Sequence, residues 1–182
     1  MTATAELRFR PMTEADLPLV REWLLRPHVR RWWDDGSEPD FPEGSIRERR
    51  MAIRGEDPTE HFIVELDARP IGDIQSYRTT DHPDYIAEIG IDEPAIGIDV
   101  YIGEPELIGR GLGPELIRRF LRDVAFPRYQ VDLALIGPTR SNAAAIRAYE
   151  KAGYRFRKVY DEPDTREREH YLMELRRADI DA

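Results

Sequence analysis

The segment ELIGRGLGPEL, residues Glu106–Leu116, combines residue types that could bind phosphate. It places glycines at alternate positions, Gly109, Gly111 and Gly113, directly before a pattern typical of a helix. Glycine lets backbone N–H groups face a ligand without steric cost, and the start of a helix favours an anion. The segment therefore predicts a phosphate-binding loop that leads into a helix.

The residues around these glycines distinguish between the known kinds of phosphate loop. A Walker loop needs Lys followed by Ser or Thr after its last glycine, whereas Pro114 and Glu115 follow here. A dinucleotide fingerprint has the spacing G-x-G-x-x-G after an early strand, but this loop has G-x-G-x-G late in the chain. The third kind binds the pyrophosphate of acyl-coenzyme A between a strand and a helix. A purely structural helix entry is the remaining alternative.

A second segment, SNAAAIRAYEKAGY at residues Ser141–Tyr154, makes the coenzyme A interpretation more specific. Its helix pattern begins at Asn142, carries Tyr149 seven residues later and ends at Gly153, which an aromatic residue follows. Glycine is the usual residue just past the end of a helix. An ordinary alanine-rich helix would explain the alanines, but not why these three residues fall together after a predicted strand.

Acidic residues dominate the chain before the glycine loop. Between Arg78 and Arg110 there is no Lys or Arg, but there are eight acidic residues. These are Asp81, Asp84, Glu88, Asp92, Glu93, Asp99, Glu104 and Glu106. One interpretation is a solvated loop, since runs of charge usually face water. The other is a negative surface that concentrates a polycationic substrate.

The composition limits the class of protein and its partners. The chain has 182 residues, enough for one well-buried domain, and its net charge of −9 argues against nucleic acid as the main partner. It has no cysteine, which excludes disulfides, thiolate metal sites and cysteine nucleophiles. The four histidines lack metal-site spacing, and no apolar run is long enough to span a bilayer. Because the first residues also lack the pattern of a secretory signal, we expect a cytoplasmic protein without a metal or a membrane.

Hydrophobic periodicity predicts one mixed α+β domain, residues 1–182, around a central sheet. The predicted order is β-α-α-β-β-β-α-β-α-β-β, with a tight turn around Asp67–Arg69 and two final antiparallel strands. Strands are predicted in LRFRPM, both halves of HFIVELDARPIGDIQSYRTT, AIGIDVYIG, QVDLALIG, YRFRKVYDE and REREHYLMEL. Helices are predicted in TEADLPLVREWLL, SIRERRMAIRG, PELIRRFLRDVAF and SNAAAIRAYEKAGY. The segment HVRRWWDDGSEPD is expected to form a short turn or helix and then a loop.

Taken together, these segments resemble the GNAT superfamily of N-acetyltransferases. The glycine loop, the next strand and the order N-x-x-A-x-x-x-Y-x-x-x-G-Y match over Ala95–Tyr154, and the element order fits nearly the whole chain. Within the superfamily the chain is similar to aminoglycoside 6'-N-acetyltransferases, which inactivate kanamycin-type antibiotics. The segments that carry this closer match are MTEADLPLVREWL, VRRWW, PIGDIQSY, GID, GRGLG and SNAAAIRAYEKAGY.

The resemblance implies a mostly antiparallel sheet whose splayed strands form a cleft for acetyl-CoA. It implies that residues 1–95 serve the acceptor and that residues 95–155 bind the acetyl donor. The implied acetyl-CoA ligands are Val100, Tyr101, Ile102, Gly109, Arg110, Gly111, Leu112, Gly113, Asn142 and Tyr149. The implied contacts to a cationic small-molecule amine are Trp32, Trp33, Asp34, Gln75, Tyr77 and Asp99.

Asp99 and Tyr149 are the candidate catalytic residues. Acetyl transfer from a thioester to an amine needs a neutral amine, a polarised carbonyl and a protonated leaving thiolate. Asp99 is expected to bind the ammonium and accept its proton, while Tyr149, with an ordinary pKa near ~10, suits protonation of the thiolate. The structural alternatives are a strand Asp in a salt bridge and a helix Tyr packed on the sheet.

The acceptor remains open at the level of sequence. Trp32 and Trp33 could form a wall of the acceptor site or the core of a helix junction. Ile108 replaces the first Arg or Gln of the usual loop, and Gly137 stands where aminoglycoside enzymes often carry an Asp. The alternatives are another amine, such as a siderophore lysine derivative, a polyamine or a protein N-terminus, and a non-catalytic acyl-CoA-binding protein. Siderophore enzymes generally use a His-centred site, and Ile96–Ile102 has no His. Both a monomer and a homodimer are compatible with the sequence.

Overall fold

The computed structural model describes residues 6–180, which form seven strands in one sheet ordered β1-β2-β3-β4-β5-β7-β6. The strands are β1 (Leu7–Pro11), β2 (Glu60–Leu66), β3 (Arg69–Arg78), β4 (Ile96–Ile102), β5 (Leu133–Ile136), β6 (Arg155–Asp161) and β7 (Glu169–Arg176). The helices are α1 (Leu17–Leu25), α2 (Pro27–Trp33), α3 (Glu43–Ile53), α4 (Pro83–Ile89), α5 (Leu112–Phe120), α6 (Phe126–Tyr129), α7 (Ala143–Ala152) and α8 (Arg177–Ile180).

The predicted fold class is confirmed, because every predicted strand is present and neighbouring strands are antiparallel except β4 and β5. The turn between β2 and β3 falls at the predicted place. Asp67 and Ala68 adopt φ values of 51° and 63° there, as a two-residue hairpin turn requires. The predicted antiparallel pairing of the last two strands, β6 and β7, is also present.

The acidic stretch before β4 is folded differently from a simple loop. A 3-10 turn, Thr79–Asp81, leads into helix α4, which starts at Pro83, ends at Ile89 and is capped by Gly90 with φ of 61°. Proline suits the first turn of a helix and a left-handed glycine suits its end, so both boundaries follow local rules. Sequence periodicity missed this helix because it is short and only Ile89 is fully buried.

Both faces of the sheet are covered by helices. One face packs against α5 and α7 around a core that includes Ile98, Phe120 and Met173. The other face packs against α1, α2 and α3 through Val20, Trp23 and Ile63, and against α4 through a smaller cluster. Each face of the central strands is therefore buried, which explains their long aliphatic runs.

The central feature of the sheet is the separation of β4 from β5. These parallel strands pair at Ile96 with Ala134 and at Gly97 with Leu135. Beyond that point β4 continues beside β3 as far as Ile102 and diverges from β5. The divergence leaves a cleft between the two halves of the sheet.

A buried ion pair stands behind this cleft. Arg49 of α3 donates from Nε to Oδ2 of Asp73 on β3 at 2.9 Å, its Nη2 lies 2.8 Å from the same oxygen, and the two side chains are 2% and 1% exposed. The Arg49 guanidinium also donates to the Ser45 carbonyl oxygen. Burial by itself would raise the pKa of Asp73, but the neighbouring Arg49 and His61 hold that pKa below its ordinary value. The pair thus stays charged inside the protein.

We expect Asp73→Ala to lower the free energy of unfolding by about 3–5 kcal/mol, because it leaves the buried charge of Arg49 without its partner. Urea denaturation followed by circular dichroism measures this change. The double variant Arg49→Met with Asp73→Leu removes both charges and is the control. It should be far more stable than Asp73→Ala, and a loss as large as that of the single variant would contradict the explanation.

Candidate active site

The cleft between β4 and β5 has a volume of about 590 Å³ and is the candidate active site. It brings together residues that are distant in sequence, from α2, β3, β4, α7 and the β6–β7 hairpin. The predicted residues that line it are Trp32, Trp33, Gln75, Tyr77, Asp99, Val100, Tyr101, Ile102, Asn142 and Tyr149. Other lining residues include Asp35, Tyr85, Tyr160, Glu162 and His170.

Asp99 is a half-buried carboxylate in the cleft, held from the neighbouring strand. Gln75 lies opposite it in the β3–β4 register, and its Nε2 donates a hydrogen bond of 2.9 Å to Asp99 Oδ2. Burial raises the pKa of Asp99 above its ordinary value, and the bond from Gln75 offsets only part of this effect. A carboxylate of this kind is a better proton acceptor than one in water, because proton affinity rises with pKa.

Tyr149 projects from α7 into the same cleft. Burial raises the pKa of its hydroxyl above the ordinary value, and the negative charge of Asp99 adds to the rise. The hydroxyl therefore keeps its proton at neutral pH and can donate it. The ring also packs near Tyr154, with 6.2 Å between ring centroids, so Tyr149 combines a packing role with a polar group at the cleft.

The edge of β4 that faces the cleft has backbone groups free for a ligand. The amide of Gly103, just beyond β4, donates to the Ile71 carbonyl oxygen on the β3 side. The backbone N–H groups of successive residues in a strand alternate between its two sides. Since the Gly103 amide points toward β3, the N–H groups of Ile102 and Val100 point toward the cleft. The Ile102 carbonyl oxygen lies 3.0 Å from His28 Nε2.

The amide of Tyr101 points away from the cleft, unlike the amides of its neighbours Val100 and Ile102 on β4. Its side chain is buried against Trp23 and Trp33 in edge-to-face contacts, with 6.3 and 4.9 Å between ring centroids. By the same alternation, its amide points toward β3. Of the three predicted β4 ligands, Val100 and Ile102 therefore have the better-placed amides.

The glycine loop lies next to the cleft and begins helix α5. Gly109 and Gly111 have φ values of 75° and 78°, a conformation that favours glycine, and Gly111 caps the helix. Leu112 and Gly113 form the first turn of α5, whose N–H groups lack partners within the helix. Arg110 is exposed. The loop therefore presents backbone donors at a helix start, although its glycines do not line the cleft.

Asn142 caps the second helix of the predicted pattern. Its Oδ1 accepts a hydrogen bond of 3.1 Å from the Ala145 amide at the start of α7. The residue also lines the cleft. A capping role thus explains the position of Asn142 at the helix start, and its amide nitrogen remains available to a ligand.

The paired tryptophans and aspartates at the end of α2 have separate roles. Trp32 and Trp33 both line the cleft, and Trp33 also packs on the buried Tyr101. Asp34, the predicted contact, lies outside the lining and pairs with Arg30 and Arg166 instead. Asp35 lines the cleft in its place. Asp35 faces the cleft because the carboxylate of Asp34 pairs with Arg30 of its own helix and with Arg166 of the β6–β7 hairpin.

The acidic stretch contributes one carboxylate to the cleft, Asp99. Glu104 accepts a hydrogen bond from Trp23 Nε1, while Arg69 pairs with both Glu104 and Glu106. The remaining acids are exposed, as expected of a solvated surface. They are Asp81, Asp84, Glu88, Asp92 and Glu93.

The model of the family described as "Acetyltransferase (GNAT) domain" matches residues 12–162 of the chain. The matched range includes both strands that form the cleft, the glycine loop and α7. The chain belongs to the GNAT family of acetyltransferases.

Individual relatives agree with the family assignment. The aminoglycoside N(6')-acetyltransferase type 1 of Klebsiella pneumoniae is 33% identical over 156 residues, covering 85% of this chain and 77% of that protein. The lysine N-acyltransferase MbtK of Mycolicibacterium paratuberculosis is 27% identical over 161 residues, covering 88% of this chain and 69% of that protein. A structure of AAC(6')-Ib in complex with ribostamycin and coenzyme A matches with a TM-score of 0.83 at 30% identity, covering 97% of this chain and 96% of that chain. The family and enzyme class expected from the sequence, a GNAT N-acetyltransferase, are therefore confirmed.

The GNAT domain departs from the expected motifs at Ile108 and Gly137. Ile108 is half exposed and lines the cleft, so an apolar side chain stands at the approach to the loop. At Gly137 a Cβ would lie 2.3 Å from the hydroxyl oxygen of Tyr160. Glycine is needed there because the tyrosine occupies the space of a side chain.

Sequence reasoning missed several polar or aromatic residues of the GNAT cleft, among them Tyr85, Tyr160, Glu162 and His170. They lie on α4 and on the β6–β7 hairpin, and the sequence placed no site residue in these segments. The only sequence feature that could have indicated a site there was the aromatic and acidic composition of YDEPD, and this composition is equally typical of the end of a hairpin.

Residues 6–180 contain no group of His, Cys, Asp or Glu that could hold a metal ion. Within the same range, no helix has both the length and the apolar character needed to cross a membrane.

We expect Gly111→Ala to lower the free energy of unfolding by about 1 kcal/mol, because alanine is disfavoured at its φ of 78°. Urea denaturation without coenzyme A measures this change. Gly113→Ala is the matched control, since Gly113 is helical and its Cβ would lie 4.0 Å from Ala148 Cβ. Alanine should leave stability unchanged or raise it there. Equal losses in both variants would argue against the backbone explanation.

Proposed function

We propose that this GNAT domain transfers the acetyl group of acetyl-CoA to a primary amine of a cationic small molecule, the 6'-amine of an aminoglycoside. The observation that carries the proposal is the position of Asp99, a proton acceptor beside the open edge of β4 and opposite Gln75. The aminoglycoside relative at 33% identity and the ribostamycin-bound structure support this choice of acceptor.

On the donor side, the chain offers backbone groups rather than charged side chains. The N–H groups of Val100 and Ile102 face the cleft and suit an extended, amide-containing arm. The residues Gly109–Gly113 and the first turn of α5 suit a pyrophosphate, because the helix dipole and free N–H groups favour anions. When bound there, acetyl-CoA supplies the thioester that is cleaved.

On the acceptor side, Asp99 and Tyr149 move protons in opposite directions. Asp99 binds the ammonium and takes a proton from it, so the nitrogen lone pair can attack the thioester carbonyl carbon. A C–N bond forms and the C–S bond breaks. Tyr149 donates its proton to the leaving sulfur and recovers one from solvent or from the acylated nitrogen. The raised pKa of Asp99 suits a proton acceptor, and the raised pKa of Tyr149 keeps its hydroxyl protonated until the sulfur leaves.

The chemistry of the cleft favours a cationic sugar as the acceptor. Trp32 and Tyr77 offer aromatic faces, and Asp35 and Asp99 offer carboxylates. Aromatic faces and carboxylates both attract ammonium groups. Tyr77 lies close over Gly97, where a Cβ would meet the ring at 2.2 Å, so this glycine keeps the aromatic wall close to β4.

Acylation of a different amine is the second candidate, favoured by the match to the lysine N-acyltransferase MbtK. Strand β4 carries Asp99 and no histidine, which favours the aminoglycoside instead. Location in the cytoplasm, a monomeric or homodimeric state and the division into an acceptor part and a donor part stay predictions from the sequence.

The experiment that tests the function is a coupled assay of thiol release from acetyl-CoA with a panel of amines. The panel contains kanamycin, tobramycin, ribostamycin, lysine, spermidine and a peptide with a free N-terminus. We expect aminoglycosides to be the preferred acceptors, with mass spectrometry and NMR locating the acetyl group on the 6' nitrogen. Preference for lysine would favour the second candidate, and no thiol release with any amine would exclude the proposed activity.

We expect Asp99→Asn to lower kcat by on the order of 10²-fold or more, because an amide cannot accept the ammonium proton. The wild type should also lose kcat/KM on the acid side, at a pH above the ordinary carboxyl range, since a buried Asp99 takes up its proton earlier as the pH falls. A pH–rate profile measures both effects. Asp92→Asn changes an exposed carboxylate outside the cleft and should behave as wild type. A wild-type rate for Asp99→Asn would remove its catalytic role.

A further inference from the structure

The buried ion pair of Arg49 and Asp73 contacts the wall of the cleft as well as the core. The guanidinium carbon of Arg49 lies 5.4 Å from the ring centroid of Trp33, at the end of α2. Trp33 in turn lines the cleft. The pair is therefore separated from a ligand in the cleft by a single side chain.

The sheet places this pair on the same face as Asp99. In the β3–β4 register Asp73 lies opposite Tyr101, and Gln75 lies opposite Asp99. Side chains two residues apart on a strand share a face. Asp73 and Gln75 therefore project from the same face of β3, and Tyr101 and Asp99 project from the same face of β4. The ion pair and the acceptor side of the site thus occupy neighbouring positions on one face of the sheet.

Arg49 is fixed in one orientation by its anchors in the core. Its Nε donates to Asp73 Oδ2, and its Nη1 donates to the Ser45 carbonyl oxygen at 3.1 Å. The other carboxylate oxygen of Asp73, Oδ1, lies 3.6 Å from Nδ1 of the buried His61. Because a guanidinium is planar, two such bonds also fix the direction of its faces. A buried ion pair adds little net stability compared with apolar residues of similar volume, so the geometry that it fixes is the role left to explain.

The two tryptophans of the wall differ in how they are held. Trp33 is in contact with the buried guanidinium of Arg49 and packs edge to face on Tyr101, with 4.9 Å between ring centroids. Trp32 is stacked by Arg31 at 4.7 Å, and Arg31 is exposed. A cation–π contact is stronger when the cation is removed from water. Trp33 is therefore the tryptophan that the core holds in place.

We propose that Arg49 is a positioning residue of the acceptor site, which holds the Trp33 indole in the wall of the cleft while Asp73 holds Arg49. This inference rests on the proposed function, in which the cleft binds a cationic sugar. Arg49 acts through Trp33 and touches no substrate. Its loss should therefore weaken acceptor binding and leave the binding of acetyl-CoA unchanged.

The test is a double-mutant cycle between the ion pair and Trp33, measured by steady-state kinetics with kanamycin. The pair is removed as Arg49→Met with Asp73→Leu, which leaves no buried charge without a partner. We expect KM for kanamycin to rise about tenfold, the size that a desolvated cation–π contact supports. KM for acetyl-CoA should stay the same. Since the two lost charges act on Asp99 in opposite directions, kcat should change little.

The decisive comparison is the same removal in the Trp33→Ala background. There the loss of the pair should raise KM for kanamycin no further, because the residue through which Arg49 acts is already absent. Arg49→Lys is a second variant that keeps the positive charge beside Asp73 but lacks the planar guanidinium. It should also raise KM for kanamycin in the wild type and have no effect in the Trp33→Ala background.

Two controls separate this contact from a general loosening of the helices. In the Trp32→Ala background the effect of removing the pair should be fully retained, because the cation stacked on Trp32 is Arg31. Arg47→Met removes an exposed arginine of the same helix, which pairs with Asp40. It should keep the wild-type constants for both substrates.

The outcomes separate this inference from the proposed function. If the pair and Trp33 contribute additively, or if the pair couples equally to Trp32 and Trp33, the role of Arg49 is wrong and the proposed function stands. An unchanged KM for kanamycin in both pair variants has the same meaning. If the wild type prefers lysine, the aminoglycoside acceptor is wrong, and the same cycle with lysine decides the role of Arg49. If the wild type acetylates no amine, both proposals are wrong.

Discussion

The divergence of β4 from β5 is the constraint on which the rest of the structure depends. The two strands are joined at Ile96–Ala134 and Gly97–Leu135, and past these pairs β4 has a partner on one side only. Backbone N–H and C=O groups cannot be buried without partners at an acceptable cost. The exposed edge of Val100–Ile102 is therefore stable as the wall of an open cleft, and a ligand with amide groups can complete it. An uninterrupted sheet would bury the same atoms and leave no site.

The cleft remains open because both halves of the sheet are anchored independently. The first half is covered by α1, α2 and α3, with Trp23 and Ile63 at its centre, and in the second half β7 pairs with both β5 and β6. The buried Arg49–Asp73 pair adds charge behind β4. The positive charge of Arg49 acts on Asp99 in the direction that lowers its pKa, yet burial outweighs it and the pKa of Asp99 is raised. The protein thus keeps a carboxylate with a raised pKa near a structural one that stays ionised.

The two sides of the site are built by different physical means. In the proposed function the donor side uses the main chain, namely the open edge of β4 and the helix start after Gly111, so its residue types are only loosely constrained. The acceptor side uses side chains from α2, α4, β3 and the β6–β7 hairpin, each of which can vary separately. This division explains why a GNAT fold can serve aminoglycoside and lysine acyltransferases alike, and why family membership alone leaves the acceptor open.

The sequence by itself determined the strands, most of the helices, the glycine loop and the second helix motif, because each follows local rules. Periodicity sets which strand face is buried, and Asn142, Gly111 and Gly153 mark helix ends in the ways that backbone geometry allows. The resemblance that these motifs carry also placed Asp99 and Tyr149 as candidates. Such features are recognised from neighbouring residues, so the tertiary structure was not needed to find them.

Only the tertiary structure decided which side chains share the cleft. Asp34 turns away and Asp35 turns in because of ion pairs with Arg30 and Arg166, the second of which is far away in the sequence. The close approach of Tyr160 to Gly137 joins a strand end to the last hairpin, which carries Glu162 at the cleft. No local pattern encodes these contacts, because they depend on how separate elements pack. Local sequence thus predicted the proposed donor site, and packing brought together the side chains of the proposed acceptor site.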